Sequence, residues 1–185
     1  MRFTDTKVVF REVPDRITLA VNISNCPIGC PGCHSKYLWE DVGEILDGET
    51  LLNLVDTNPG INCVSFMGGD AEPETVRDLA KLIKDSRPGI GTCWYSGRSL
   101  EKAERVIPFL DFIKTGPFIE EFGPLDSATT NQRFLHIEHT EDGPVFSDWT
   151  PRFQKKSFEE FVQHVKGAYF KPNSEVVGEV LSQFP

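Results

Sequence analysis

Three cysteines fall within eight residues, at Cys26, Cys30 and Cys33, directly after a β-branched run that predicts a strand over 17–23. Thiols crowded in this way do not suggest a disulfide framework in a domain of this size, and they are typical of metal ligation or catalysis. Two prolines and two glycines in the same segment let the backbone wrap tightly. The sequence therefore predicts a loop that holds one inorganic centre at the end of a strand.

Short apolar runs alternate with helical segments along most of the chain. The pattern predicts strands over 17–23, 61–66, 91–96 and 109–115, and helices over 48–55, 74–84 and 99–106. Alternation at this spacing favours repeated βαβ units around a parallel sheet. We therefore expect an α/β fold, in which ligands bind at the carboxyl ends of the strands.

The last third of the chain departs from this alternation. It predicts a long loop over 115–130, a hairpin between 133–139 and 145–146, and amphipathic helices over 157–169 and 175–184. We expect one domain over 1–152, followed by a C-terminal helical extension over 153–185 that packs on the same domain.

Composition excludes several classes of protein. The length of 185 residues suits one compact domain, and the net charge of −9 argues against nucleic-acid binding. The sequence contains no run of about 18 apolar residues, so it does not predict a membrane span. The N-terminus also lacks the apolar stretch of a signal peptide. We therefore expect a cytoplasmic protein with no nucleic-acid or membrane partner, in a compartment where thiols stay reduced.

The cysteine segment is compatible with two kinds of inorganic centre. A [4Fe–4S] cluster takes thiolate ligands, and three cysteines would leave its fourth iron open to another ligand. A structural zinc ion would need a fourth ligand such as His34, aimed at the same ion as its neighbour Cys33. The spacing favours the cluster and leaves zinc as the alternative. The other two cysteines, Cys63 and Cys93, lie in predicted strands and are expected to be core thiols.

Polar residues and glycines follow the other predicted strands. Glycines let the backbone approach a ligand, and an adjacent carboxylate can accept a hydrogen bond from an ammonium group. A helix start or a solvated surface position is the alternative explanation at each strand end. The candidate ligand contacts are Gly68, Gly69 and Asp70 after the second strand, Ser96 and Arg98 after the third, and Lys114 in the fourth.

The C-x3-C-x2-C spacing of the three cysteines resembles the radical S-adenosylmethionine superfamily. This resemblance implies a partial, open (βα) barrel whose cluster binds the amino and carboxylate groups of S-adenosylmethionine and cleaves it by one-electron reduction to a 5′-deoxyadenosyl radical. The superfamily usually has an aromatic residue just before the third cysteine, near the adenine. That position is Gly32 here, so the implied contacts are the backbone of Gly32, Cys33 and His34. The turn at 68–70 resembles the superfamily's Gly-Gly-Glu motif, with Asp70 in place of Glu.

Two downstream segments, 116–121 and 130–133, indicate which family within the superfamily the chain resembles. Together with the cysteine and glycine motifs, over about residues 1–152, they look like the activating proteins of anaerobic ribonucleoside-triphosphate reductases. That family implies an oxidoreductase that generates a glycyl radical in a loop of the large reductase subunit, with electrons from a donor such as flavodoxin or ferredoxin. The residues implied to hold the loop or the cofactor are Asn131, Gln132 and Arg133. Two alternatives are a pyruvate formate-lyase-type activase or similar small radical enzyme, and a non-catalytic zinc or iron–sulfur binding module.

Overall fold

A mixed, eight-stranded sheet forms the centre of the protein in a computed structural model that describes residues 1–154. The strands are Arg2–Val9 (β1), Thr18–Ile23 (β2), Glu44–Ile45 (β3), Cys63–Met67 (β4), Gly91–Tyr95 (β5), Phe112–Thr115 (β6), Arg133–Thr140 (β7) and Gly143–Asp148 (β8). Two α-helices occur in the described chain, Gly48–Asp56 (α1) and Pro73–Ser86 (α2). The strand order is β3-β1-β2-β4-β5-β6-β7-β8, and over these residues the sheet does not close into a barrel.

The four central strands, β2, β4, β5 and β6, are parallel. Their register aligns Asn22 with Met67, Met67 with Tyr95, and Tyr95 with Lys114. These four residues form a row near the carboxyl ends of the strands. The loops that follow the central strands therefore meet at one edge of the sheet.

The predicted α/β class is confirmed, and so is the hairpin, which β7 and β8 form. The sheet is mixed because antiparallel strands flank its parallel centre on both sides. Two of these, β1 and β3, were not predicted from the sequence. The predicted helices over 157–169 and 175–184, and nearly all of the predicted extension over 153–185, lie outside the described residues.

The predicted helix over 99–106 is wrong. That segment forms a short 3₁₀ turn, Leu100–Ala103, and a second 3₁₀ turn, Ile107–Phe109, follows it. Apolar residues recur at every third position from Leu100 to Val106, which suits 3₁₀ geometry. Pro108 then removes a backbone donor that a continuing α-helix would need.

Both faces of the sheet are covered by apolar residues. One face packs against α1 and α2 through residues such as Val21, Phe66 and Trp94. The opposite face carries a smaller cluster that includes Cys63 and Cys93. Burial raises the pKa of Cys63 to about 12 and the pKa of Cys93 well above its ordinary value. These two cysteines are therefore core thiols, as predicted.

Neither α-helix among residues 1–154 has the length and apolar character that a membrane crossing requires.

Candidate functional site

Hydrogen bonds anchor the start of the cysteine loop, residues 25–35, and stabilise the turn within it. The N–H of Cys26 donates to the carbonyl of Leu38 at 2.9 Å, and the N–H of Cys33 donates to the carbonyl of Cys30 at 3.1 Å. The N–H of Ser35 donates to the sulfur of Cys33 at 3.4 Å. All three thiols of the loop are free and half-buried.

The three thiols line one cavity of about 330 Å³, which we call the thiol cavity. The row of residues across the four parallel strands also lines it, so the cavity lies at their carboxyl ends. The structure brings nine predicted site residues to this cavity: Cys26, Cys30, Cys33, His34, Gly68, Asp70, Ser96, Lys114 and Gln132. Gly32, Gly69, Arg98, Asn131 and Arg133 do not line it.

Lys114 brings a buried cation to the thiol cavity, since the residue is only 8 % exposed. Its ammonium donates to the carbonyl oxygens of Gly116 at 2.6 Å and Ser96 at 3.4 Å. Burial lowers the pKa of Lys114 to about 8, against the opposing effect of nearby negative groups, first among them Cys30. A cation whose described partners are carbonyl oxygens is available to a negatively charged ligand.

Burial changes the pKa of Cys26 in the opposite direction to that of Lys114. Burial raises the pKa of its thiol, and hydrogen bonds from the backbone of Ile28 and Gly29 partly oppose the rise. A neighbouring cation or metal stabilises a thiolate, so a positively charged centre in the cavity would counter the effect of burial.

Asp70 joins the loop after β4 to the loop after β5. One of its carboxylate oxygens accepts from the hydroxyl of Ser96 at 2.6 Å, and the other accepts from the N–H of Gly97 at 3.0 Å. The guanidinium of Arg98 donates to the backbone carbonyl of Asp70 at 2.7 Å. Three residues predicted to contact a ligand, Asp70, Ser96 and Arg98, thus bind one another.

Gly68 and Gly69 occupy a tight turn with φ values of 108° and 89°. A Cβ atom at Gly68 would lie 2.9 Å from the carbonyl oxygen of Ile23, and one at Gly69 would lie 2.7 Å from the side chain of Val76. Left-handed backbone and close approach both require glycine here. The N–H of Gly68 donates to the carbonyl of Tyr95 at 3.1 Å, so this donor is already used within the protein.

In segment 131–133, one residue lines the thiol cavity and the other two bond to backbone carbonyls. Gln132 is buried and lines the thiol cavity. The side chain of Asn131 donates to the carbonyl of Pro117 at 2.9 Å, and Arg133 is exposed and donates to the carbonyls of Thr130 and Gln132.

Sequence reasoning missed several residues that line the thiol cavity: Asn22, Ile23, Ile28, Ser35, Leu38, Trp39, Met67, Tyr95, Gly97, Phe118 and Pro124. For some of these residues, their position in the sequence could have indicated a place in the site. Asn22, Met67 and Tyr95 stand in or at the ends of predicted strands, and Phe118 belongs to the recognised segment 116–121.

A second cavity of about 560 Å³ adjoins the first, and we call it the outer cavity. The two share Met67, Tyr95 and Pro124 as lining residues. The outer cavity is also lined by Phe10, which is largely exposed, and by Leu125. Met67, Tyr95 and Pro124 therefore lie at the boundary where the two cavities meet.

The donor set of the thiol cavity fits an iron–sulfur cluster. Among residues 1–154, no three His, Cys, Asp or Glu side chains gather closely enough to surround one metal ion. A cluster is larger than a single ion and binds separate thiolates at separate irons. The N–H of Ser35 at the sulfur of Cys33, together with the Lys114 cation, suits a negatively charged cluster and its ligands.

Fold and site together define an α/β protein with a thiol-lined cofactor cavity. The family model described as the 4Fe-4S single cluster domain matches residues 16–135, which is more than half of the chain and includes all three loop cysteines. The chain therefore belongs to the 4Fe-4S single cluster domain family. This membership supports the predicted iron–sulfur cofactor and fits an iron–sulfur protein of the radical S-adenosylmethionine type. No curated protein and no solved structure matches the chain.

Proposed function

We propose that this protein is an activase that holds a [4Fe–4S] cluster at Cys26, Cys30 and Cys33 and reductively cleaves S-adenosylmethionine. Its proposed target is a glycine of the large subunit of anaerobic ribonucleoside-triphosphate reductase, which becomes a glycyl radical. The observation that carries the proposal is that three half-buried thiols of one loop line a single cavity with Asp70 and Lys114.

The bound cluster would supply an open iron for S-adenosylmethionine and the electron that cleaves it. The chain's own residues then bind and orient the cofactor. The cation of Lys114 suits the carboxylate of the methionine part, because both charges are removed from water in the cavity. Gln132 is buried and lines the same cavity, and a side-chain amide there suits a polar group of the cofactor or of the target loop.

The outer cavity offers the target glycine a way in. A cavity of about 330 Å³ lies near the lower end of the range that holds one small ligand, so the thiol cavity has little room for a peptide beside the cofactor. The outer cavity, of about 560 Å³, adjoins it through Met67 and Tyr95. A loop of the partner protein in the outer cavity would present a side-chain-free Cα to the cofactor. An electron donor such as flavodoxin or ferredoxin completes the proposed set of partners.

Anaerobic reconstitution with iron and sulfide tests the first half of the proposal. With a strong reductant and S-adenosylmethionine, the reconstituted protein should release 5′-deoxyadenosine. If no 5′-deoxyadenosine forms, the proposed cleavage activity is wrong. The second half needs the reductase subunit, where a glycyl EPR signal should appear after mixing. A glycyl signal on a pyruvate formate-lyase-type protein, and none on the reductase, would move the assignment to the other activase class.

A further inference from the structure

The cysteine loop fits its neighbours through two glycines, each facing a larger side chain from another loop. A Cβ atom at Gly97 would lie 2.7 Å from the side chain of Ile28 in the cysteine loop. Conversely, a Cβ atom at Gly32 in the cysteine loop would lie 3.0 Å from the carboxylate of Glu120 and 3.2 Å from the ring of Phe118, both after β6. The space beside the third cysteine is therefore filled by an aromatic ring and a carboxylate from elsewhere in the chain.

Phe118 contacts the cysteine loop and also lines the thiol cavity. Its ring meets the ring of His34 edge-on, with centroids 5.7 Å apart and an interplanar angle of 69°. The residue is half-buried, and part of its remaining surface belongs to the cavity lining. An aromatic surface is thus exposed to whatever occupies the cavity beside Cys33.

Two other large aromatic residues line the cavity, and each has another role. The hydroxyl of Tyr95 donates to the carbonyl of Glu12, and its ring packs on Phe134 with centroids 6.0 Å apart. Trp39 is exposed, with the ammonium of Lys36 5.7 Å from its ring centroid. Phe118 lines the cavity, and its ring also contacts His34 of the cysteine loop.

We infer that Phe118 supplies the surface on which the adenine base of S-adenosylmethionine stacks, and that the glycine at position 32 leaves room for this ring beside the third cysteine. The inference rests on the proposed function and adds a residue that determines cofactor affinity. Stacking of a base on an aromatic side chain contributes enough that its loss weakens binding by about 5-fold to 150-fold.

The test is calorimetric titration of anaerobically reconstituted protein with S-adenosylhomocysteine, which carries the same base, with affinity expressed per cluster-loaded chain. Phe118→Leu keeps apolar volume but removes the aromatic face, so its dissociation constant should rise by about fivefold or more. Phe118→Tyr keeps the face and should stay within about threefold of the wild type. Phe146→Ala, in an exposed residue of β8 outside both cavities, should bind as the wild type does.

The outcomes separate this inference from the proposed function. If the wild type binds the probe and Phe118→Leu binds it equally well, Phe118 does not contact the base and the inference is wrong. A loss of iron and sulfide in Phe118→Leu with unchanged affinity per loaded chain would limit Phe118 to packing of the loop, which also overturns the inference. If the wild type itself neither binds the probe nor cleaves S-adenosylmethionine, the proposed function fails first.

Discussion

The carboxylate of Asp70 accepts a hydrogen bond from the hydroxyl of Ser96 at 2.6 Å, which ties the turn after β4 to the turn after β5. Asp70 is only 1 % exposed, and its other carboxylate oxygen accepts from the N–H of Gly97. A buried carboxylate is tolerated when hydrogen bonds satisfy it. Asp70 therefore fixes the relative position of two turns that line the thiol cavity.

Replacing Ser96 with Ala should destabilise the protein, because it leaves a buried carboxylate oxygen without its donor. We expect the free energy of unfolding to fall by about 1.5–3 kcal/mol, as measured by urea denaturation. Ser99→Ala is the matched control, since Ser99 is exposed and its side chain caps no helix. Equal losses in the two variants would contradict the role given to the Asp70–Ser96 bond.

Lys114 should make the stability of the cluster-free protein depend on pH. Its pKa is about 8 in the folded protein against an ordinary value of 10.5, so between these values the unfolded chain binds more protons and stability rises with pH. Lys114→Met lacks this contribution. Compared with their difference above pH 10.5, the variant should therefore gain on the wild type by up to a few kcal/mol below pH 8.

The measurement is urea denaturation of both proteins across this pH range, with Lys81→Met as the control. Lys81 is exposed and pairs with Asp85 on the surface of α2, so its removal should produce no such pH-dependent gain. A difference between Lys114→Met and the wild type that stays constant with pH would show that Lys114 is not held as a buried cation.

Gly32→Ala should harm the protein more than Gly29→Ala. Both glycines have left-handed backbone, with φ of 74° and 59°, so both variants suffer the same kind of strain. A Cβ atom at Gly29 meets nothing within 4 Å, whereas one at Gly32 meets Phe118 and Glu120. We expect an additional loss of about 1 kcal/mol at Gly32 in urea denaturation. Phe118→Ala in the Gly32→Ala background should recover part of it, and equal effects at the two glycines would argue against the close packing.

Phe10→Ala should separate cofactor cleavage from activation of the partner. Phe10 lines the outer cavity and is largely exposed, so the fold should tolerate its truncation. Release of 5′-deoxyadenosine without the partner should stay unchanged, while the partner concentration that gives half-maximal glycyl radical should rise by about tenfold. Val145→Ala, at an exposed position on β8, should change neither value. Equal behaviour of Phe10→Ala and Val145→Ala would remove the outer cavity from the proposed docking site.

The sequence predicted the parallel centre of the sheet because strands buried on both faces form continuous apolar runs. The same reasoning missed β1, in which Phe3 is the single buried residue and polar residues dominate. It also missed β3, which has two residues and no pattern to detect. The helix predicted over 99–106 was wrong because apolar residues spaced by three suit 3₁₀ geometry and Pro108 prevents an α-helix from continuing.

The sequence also predicted which motifs meet, because the carboxyl ends of parallel strands share one edge of the sheet. It could not predict that Asp70 bonds Ser96 and Gly97, since both bonds depend on how two separate turns pack. For the same reason the contact of Phe118 with Gly32 was not predictable. Motifs therefore predicted which segments line one cavity, while tertiary packing determines which of their side chains bond to one another.

The central claim is that the three loop thiols hold a [4Fe–4S] cluster, and iron and sulfide analysis with EPR tests it most directly. The anaerobically reconstituted wild type should contain about four irons and four sulfides per chain and give the EPR signal of a reduced [4Fe–4S] cluster. Cys30→Ala should lose that signal, whereas Cys93→Ala, in a core thiol, should keep it. Zinc without sulfide in the wild type, or an unchanged cluster in Cys30→Ala, would contradict the claim.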